Sequence, residues 1–178
     1  QQQHVAVGAQ HGLDGALLAE ADGTTGVILR DDIWLPAETP RGPAEEDAAP
    51  SLAAPLPLAL VTGVNTPSPG LLMVHTDHLG RPIRLTDATR ATVWQAAYQP
   101  FGELMSIAGT VEQNLRFPGQ YFLLETGLAY NWHRHYDATT GRYTQPDPLR
   151  FVDGPSVYAY AGASPVMVLD PAGLVLYP

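Results

Sequence analysis

Two Asp-Pro dipeptides lie near the end of the sequence, Asp147-Pro148 and Asp170-Pro171. Two carboxylates held close together cannot both ionise, so one pKa rises and the pair can supply both an acid and a base near neutral pH. The same dipeptide is an ordinary turn former, because Pro presets φ and the Asp side chain hydrogen-bonds to the backbone that follows. From these residues alone two turns are the favoured interpretation, and a catalytic pair is the alternative.

Other charged residues near these dipeptides could support them. Asp153, which precedes Gly154, is a supporting acid or another turn residue, and the turn is favoured. Arg134 and Arg142 lie close to acidic turns, where an ion pair that stabilises the fold is favoured over a catalytic role. Their candidate partners are Asp137, Asp147 and Asp170.

Four histidines have spacings that would suit a metal site. His75 and His78 lie in the stretch "HTDH" with Asp77, and His133 and His135 share one face of a predicted strand. Histidines on the polar face of a strand more often make surface or cross-strand hydrogen bonds. We therefore predict no metal and no other cofactor.

The composition limits the possible partners. The net charge of the 178 residues is −9, and all nine basic residues are arginine. Because nucleic-acid binding needs a clustered basic surface, this charge argues against such a partner. The chain has no cysteine, so a disulfide framework, a thiolate nucleophile and a sulfur metal site are excluded.

The sequence predicts neither a signal peptide nor a membrane span. The first residues, QQQHVAVGAQHG, have no basic start and no apolar run. The longest apolar stretch, Leu56 to Val64, contains prolines and is too short to cross a bilayer. If the protein is exported, it therefore travels by another route or as part of something larger.

Elements that could position these residues follow from turn signals and short apolar runs. In residues 1–35 we predict hairpins, with strands Ala16–Glu20 and Val27–Trp34 and turn signals such as Asp14-Gly15. A helix over ALLAEA is the weaker alternative, since so short a segment rarely forms one alone. Residues 36–69 are rich in Pro and Ala and are predicted to be an insertion or linker that returns to a strand at Leu56–Gly63.

Residues 70–174 repeat the hairpin pattern, which predicts an all-β antiparallel meander. Alternation along "LAYNWHRHYD" predicts one strand from Leu128 to Asp137, with an aromatic face and a polar face. A helical turn is predicted only within Pro155–Val166, and residues 175–178 form a residual tail.

Three segments resemble the core-associated domain of the RHS (YD-repeat) proteins, a family of polymorphic and insecticidal toxins. They are "HTDHLGRPIRLTDATRATVWQAAYQPFGE", "LRFPGQYFLLETGLAYNWHRHYDATTGRYTQPDPL" and "VYAYAGASPVMVLDPAGL". Several motifs in the family's order make the resemblance more specific than one short pattern. The resemblance is dense from Leu71 to Leu174, and residues 1–35 resemble YD repeats.

The resemblance implies a curved sheet that is part of a hollow RHS shell, with a short irregular or helical C-terminal plug. It implies an aspartyl autoprotease with Asp147 and Asp170 as the catalytic pair and Leu174–Val175 as the bond cut. It further implies an upstream repeat shell and a downstream toxin as partners, a secretion apparatus, and delivery as part of a larger RHS protein.

The sequence departs from the family's pattern in two places. The spacer Phe151–Leu169 has nineteen residues, one more than in the family, which a β-bulge can absorb. Arg150 replaces a glycine, and arginine is costly where φ is positive. Two alternatives to the autoprotease remain: a structural shell or plug segment without activity, and a displaced remnant of a larger RHS gene.

Overall fold

The computed structural model describes residues 7–11, 17–35 and 54–177, and these residues form two antiparallel sheets. The first sheet is an eight-stranded meander in which each strand pairs with the next along the chain. Its strands are β1 Val7–His11, β2 Leu17–Asp22, β3 Ile28–Leu35, β4 Leu56–Thr62, β5 Gly70–Thr76, β6 Pro82–Thr86, β7 Thr92–Tyr98 and β8 Leu104–Gly109.

The second sheet has four short strands in the order β12-β11-β10-β9. They are β9 Tyr121–Leu123, β10 Leu128–Asn131, β11 Arg134–Asp137 and β12 Arg142–Tyr143. One turn of 3-10 helix, Ala161–Ala163, follows this sheet. In the part of the chain that the structure describes there is no α-helix, so the all-β prediction is confirmed, as is the helical turn within Pro155–Val166.

Four hairpin turns begin with an aspartate that hydrogen-bonds to its own turn. In each, Oδ1 accepts the backbone N–H two residues further on, at 2.8 to 3.0 Å. This bond closes the turn locally and competes with continued strand pairing, so the chain reverses there. The four residues are Asp22, Asp77, Asp87 and Asp137.

The strand predictions before residue 70 are confirmed where the structure describes them. The strands predicted at Ala16–Glu20 and Val27–Trp34 are β2 and β3, which pair antiparallel. The strand predicted at Leu56–Gly63 is β4, which pairs with both β3 and β5. The Asp14-Gly15 turn and most of the Pro/Ala-rich segment lie outside the described residues.

The prediction of one strand over Leu128–Asp137 is wrong. The segment is a tight hairpin, β10–β11, in which Asn131 pairs with Arg134 across the two-residue turn Trp132-His133. The alternation of aromatic and polar residues continues through this turn, so it gives no sign of the reversal. The turn also lacks the usual Gly, Asn or Asp, and Trp132 takes the left-handed conformation with a φ of 54°. As a result Asn131 lies on the same buried face as Arg134 and Tyr136, not on the opposite face.

Two of the three apolar clusters among the described residues support the two sheets. On the eight-stranded sheet, Leu60, Leu72, Leu85 and Trp94 pack together. Beneath the second sheet lies an aromatic cluster of Phe117, Tyr136, Tyr143 and Tyr160, with Leu79, Ala129 and Ala161. Its rings are tilted or edge-on with centroids 4.5 to 5.8 Å apart, a favourable geometry for aromatic pairs.

Candidate functional site

A single buried guanidinium joins the two Asp-Pro turns. Nη2 of Arg134 lies 3.0 Å from Oδ2 of Asp147 and 3.0 Å from Oδ2 of Asp170. All three side chains are almost completely shielded from solvent. The two carboxylates are thus held close together by the cation between them, although twenty-two residues separate them in the sequence.

Each aspartate is also fixed by its own turn. Oδ1 of Asp147 accepts the N–H of Leu149 at 2.7 Å, and its carbonyl accepts the N–H of Arg150 at 3.0 Å. Oδ1 of Asp170 accepts the N–H of Leu174 at 2.8 Å, so Asp-Pro-Ala-Gly closes as a turn. Both aspartates therefore form turns, as expected from the dipeptide, and their other carboxylate oxygens meet at Arg134.

Asn131 on β10 and Tyr143 on β12 make further hydrogen bonds around Asp170. Nδ2 of Asn131 lies 2.9 Å from the carbonyl oxygen of Asp170 and 2.7 Å from the hydroxyl of Tyr143. That hydroxyl in turn donates to Oδ2 of Asp170 at 2.8 Å. The guanidinium of Arg134 lies over the Tyr143 ring, 3.6 Å from its centroid, in a cation–π contact.

Burial is the main influence on the ionisation of Asp170. It raises the pKa of the carboxyl above its ordinary value of 3.8, because a charge in this site is poorly solvated. The hydrogen bonds from Tyr143 and Leu174 oppose this rise, as does the charge of Arg134. The negative charge of Asp153 adds to it.

The segment with the expected cut site lies against this cluster. Nε of Arg134 donates to the carbonyl of Gly173 at 2.7 Å, one residue before Leu174. Leu174 is half-buried and Val175 is exposed. Gly173 has a φ of +67°, and a Cβ there would lie 2.6 Å from the carbonyl oxygen of Asn131, so only glycine fits without displacement.

The two sequence-predicted supporting residues have different positions. Asp153 is half-buried, and its Oδ2 has no hydrogen-bond partner among the described residues. Arg142 is exposed on β12, and the ion pairs of the described residues do not include it. Of the two arginines expected to pair with an acidic turn, Arg134 and Arg142, it is Arg134 that binds Asp147 and Asp170.

Arg150 stands where the family has a glycine, and the structure shows what the turn requires at that position. Its φ is +66°, so the turn does need the left-handed conformation that glycine adopts readily. The side chain is exposed and forms no ion pair with either aspartate in the described residues. The guanidinium beside the pair belongs to Arg134.

The histidines make separate contacts. A ring nitrogen of His75 lies 2.9 Å from the Thr86 hydroxyl, and one of His133 lies 3.0 Å from the carbonyl of Ala172. Within the described ranges, no group of three or more His, Asp or Glu side chains is arranged to hold a metal ion. No helix in those ranges is long and apolar enough to cross a membrane.

Two residues of the site were missed by sequence reasoning, Asn131 and Tyr143. Asn131 was assigned to the wrong face because the hairpin turn at Trp132 has no composition signal. Tyr143 lies four residues before Asp147 on a strand, and its alternation with exposed Arg142 was the available signal.

Comparison with known proteins shows similarity to RHS proteins. Residues 74–106 match a family described as "RHS protein". The chain is 41% identical over 120 residues to protein YibJ of Escherichia coli (strain K12), which covers 65% of this chain and 51% of that protein. It is 40% identical over 102 residues to toxin protein Tse5 of Pseudomonas aeruginosa, covering 57% of this chain and 8% of that protein.

A third relative is double-stranded DNA deaminase toxin A of Burkholderia cenocepacia, 39% identical over 105 residues, with 56% of this chain and 7% of that protein covered. The chain thus spans about half the length of the first of these relatives and less than a tenth of the other two.

Solved structures with the same fold include TcdB2-TccC3 without its hypervariable C-terminal region. It has a TM-score of 0.60 and 20% identity, and the match covers 94% of this chain and 8% of that chain. A Photorhabdus luminescens Tc holotoxin pore with a TccC3 mutation has a TM-score of 0.61 and 17% identity, covering 98% and 9%. At these identities the likeness is one of fold.

Proposed function

We propose that this chain is an RHS protein segment, the core-associated part of a toxin-bearing polypeptide, and that it cuts that polypeptide once, between Leu174 and Val175. The observation that carries the proposal is that Arg134 binds three groups at once. They are the carboxylates of Asp147 and Asp170 and the backbone carbonyl of Gly173, next to the cut site.

The geometry supports hydrolysis because the peptide unit just before the bond to be cut is already in contact with Asp170 and Arg134. The N–H of Leu174 is bonded to Asp170, so the carbonyl of the bond to be cut is one peptide unit from that carboxylate. Holding the reacting groups together in this way removes much of the entropic cost of bringing them together. Burial also raises the pKa of Asp170 towards the range in which a carboxyl can exchange protons.

The reaction needs only water and the two carboxyl groups. One carboxylate takes a proton from water, and the water oxygen forms a bond to the carbonyl carbon of Leu174. The other, protonated carboxyl gives its proton to the nitrogen of Val175 as the C–N bond breaks. The products are a new carboxyl terminus at Leu174 and a new amino terminus at Val175, and no cofactor takes part.

The wider context of the proposal comes from the relatives. Two of them are named toxins, and the chain covers under a tenth of each. We infer that the eight-stranded sheet continues an upstream RHS shell and that the residues after Leu174 lead into a toxin. The whole polypeptide would be a delivered effector that depends on a secretion apparatus.

A fusion protein tests the proposal directly. The full chain is expressed with a reporter protein joined after Pro178, and the products are identified by intact mass and N-terminal sequencing. We expect a reporter fragment that begins at Val175. Asp147→Asn and Asp170→Asn should each abolish the fragment, because either change leaves the pair one carboxyl short.

A matched control removes an aspartate from a turn outside the site. Asp87→Asn changes a hairpin aspartate on the exposed β6–β7 turn and should leave cleavage intact. Far-UV circular dichroism verifies that each variant is folded. An intact fusion from the folded wild-type chain would contradict the proposal and assign the Arg134 cluster to structure alone.

A further inference from the structure

The hydroxyl of Tyr143 has a fixed direction of donation. Nδ2 of Asn131 contacts the backbone carbonyl of Asp170, which only accepts, so this atom of the amide must be the nitrogen. The same nitrogen donates to the Tyr143 oxygen at 2.7 Å. The proton of the phenol is then free to point at Oδ2 of Asp170, 2.8 Å away.

This arrangement makes the two oxygens of Asp170 different. Among the described residues, Oδ2 accepts hydrogen bonds from Tyr143 and from Arg134, whereas Oδ1 accepts only the N–H of Leu174. A carboxylate oxygen has about two lone-pair sites, so Oδ2 is filled and Oδ1 keeps one open. The open site lies on the oxygen that accepts the N–H of Leu174, the residue whose carbonyl belongs to the bond expected to be cut.

We propose that Tyr143 is a positioning residue for this site: its hydroxyl, oriented by Asn131, holds Oδ2 of Asp170 and leaves Oδ1 to face the Leu174 peptide. This inference rests on the proposed self-cleavage and adds a residue that acts through Asp170. Because Tyr143 donates to the ionised form of that carboxylate, it also stabilises the charge of Asp170.

The surroundings of Tyr143 keep its hydroxyl a donor. Burial raises the pKa of this phenol, and the negative charge of Asp170 raises it further, so it retains its proton throughout the range in which proteins function. The ring itself packs against Tyr136 and Tyr160 and under the Arg134 guanidinium. A phenylalanine can keep these ring contacts and lose only the hydroxyl.

Tyr143→Phe in the reporter fusion is the test, with the rate of cleavage measured from pH 4 to pH 9. A hydrogen bond to a charged group has a net value that corresponds to a roughly ten- to hundred-fold change, so we expect a decrease of that size. The limb of the pH–rate profile that reports Asp170 should also move to higher pH, since the ionised form loses a donor.

Tyr136→Phe is the matched control. Tyr136 is equally buried, and its hydroxyl donates to the carbonyl of Phe101, outside the site. It should lower stability through the loss of a buried hydrogen bond and leave the pH–rate profile unmoved. A purely structural role for Tyr143 predicts the same unmoved profile in both variants, and that result would overturn the inference.

A second measurement separates this inference from the proposed function. The pKa of Asp170 is measured by carboxyl ¹³C NMR in the 178-residue chain and in both phenylalanine variants. Tyr143→Phe should raise it and Tyr136→Phe should not. If the wild-type fusion stays intact, the proposed function fails, and the NMR comparison alone decides whether Tyr143 lowers the pKa of Asp170. An unchanged pKa of Asp170 in Tyr143→Phe would refute that role.

Discussion

Replacing Asp32 by asparagine should stabilise the protein increasingly as the pH rises. Asp32 lies on β3 opposite Leu60, on the buried face of the sheet. Its Oδ2 has no hydrogen-bond partner among the described residues. Burial raises the pKa of this carboxyl from 3.8 to about 7, against the opposing charge of Arg30. The negative charges of Glu20 and Asp31 add to the rise.

The magnitude follows from linkage between protonation and folding. Between pH 3.8 and about 7 the unfolded Asp32 is ionised while the folded one keeps its proton, so folding takes up a proton and stability falls as pH rises. One pKa unit corresponds to about 1.4 kcal/mol, so the loss reaches roughly 4 kcal/mol by pH 7 and then levels off. Asparagine mimics the neutral acid and does not incur this loss.

Urea unfolding of both proteins from pH 4 to pH 9 measures the effect. The difference in unfolding free energy, variant minus wild type, should grow by roughly 1.4 kcal/mol per pH unit up to about pH 7 and then stay constant. Taking this difference cancels the titration of the other groups. A difference that does not change with pH would refute the reasoning.

The matched control is Asp31→Asn, which removes the same charge from the neighbouring position on the opposite face of β3. An equal pH dependence in both variants would mean that the loss of one negative charge, not the burial of Asp32, causes the effect.

Three further predictions concern the site and its turns. Arg134→Ala leaves two buried carboxylates without their cation and should cost about 3–5 kcal/mol at pH 7, measured by urea unfolding; the cost should be smaller at acidic pH, because burial raises the pKa of Asp170 and favours its neutral form. Gly119→Ala puts a Cβ 1.8 Å from the carbonyl oxygen of Pro171 and should lower both the melting temperature and the cleavage rate; an unchanged melting temperature would contradict this close packing. Arg150→Gly removes a left-handed arginine and should raise the unfolding free energy by about 1 kcal/mol, and a decrease would show that φ is not strained there.

Much of the local structure could be read from the sequence. The aspartates that begin the hairpin turns, such as Asp77 and Asp87, act through bonds to N–H groups two residues away. Such bonds depend only on neighbouring residues, so residue type is enough to predict them. The short apolar runs between these turns then predicted the strands β2, β3 and β4.

The composition of the site was only partly readable. The aspartates 147 and 170 could be named as a pair, and Arg134 and Arg142 were equivalent candidates because each lies near an acidic turn. Of the two, only Arg134 forms the ion pair among the described residues, because its side chain faces the buried side of the sheet and that of Arg142 faces solvent. The unmarked turn at Trp132 reverses the chain and directs Arg134 inwards, whereas on β12 the inward position belongs to Tyr143.

Residue type and bonds between near neighbours account for most of the turns and strands and for the two aspartates, but not for the hairpin turn at Trp132. The tertiary structure decided which residues join them. Arg134 reaches Asp170 across thirty-six residues, and Asn131 reaches the same turn across thirty-nine. Contacts over such distances depend on how the hairpins pack around the tyrosines of the aromatic cluster, and that packing is a property of the folded chain.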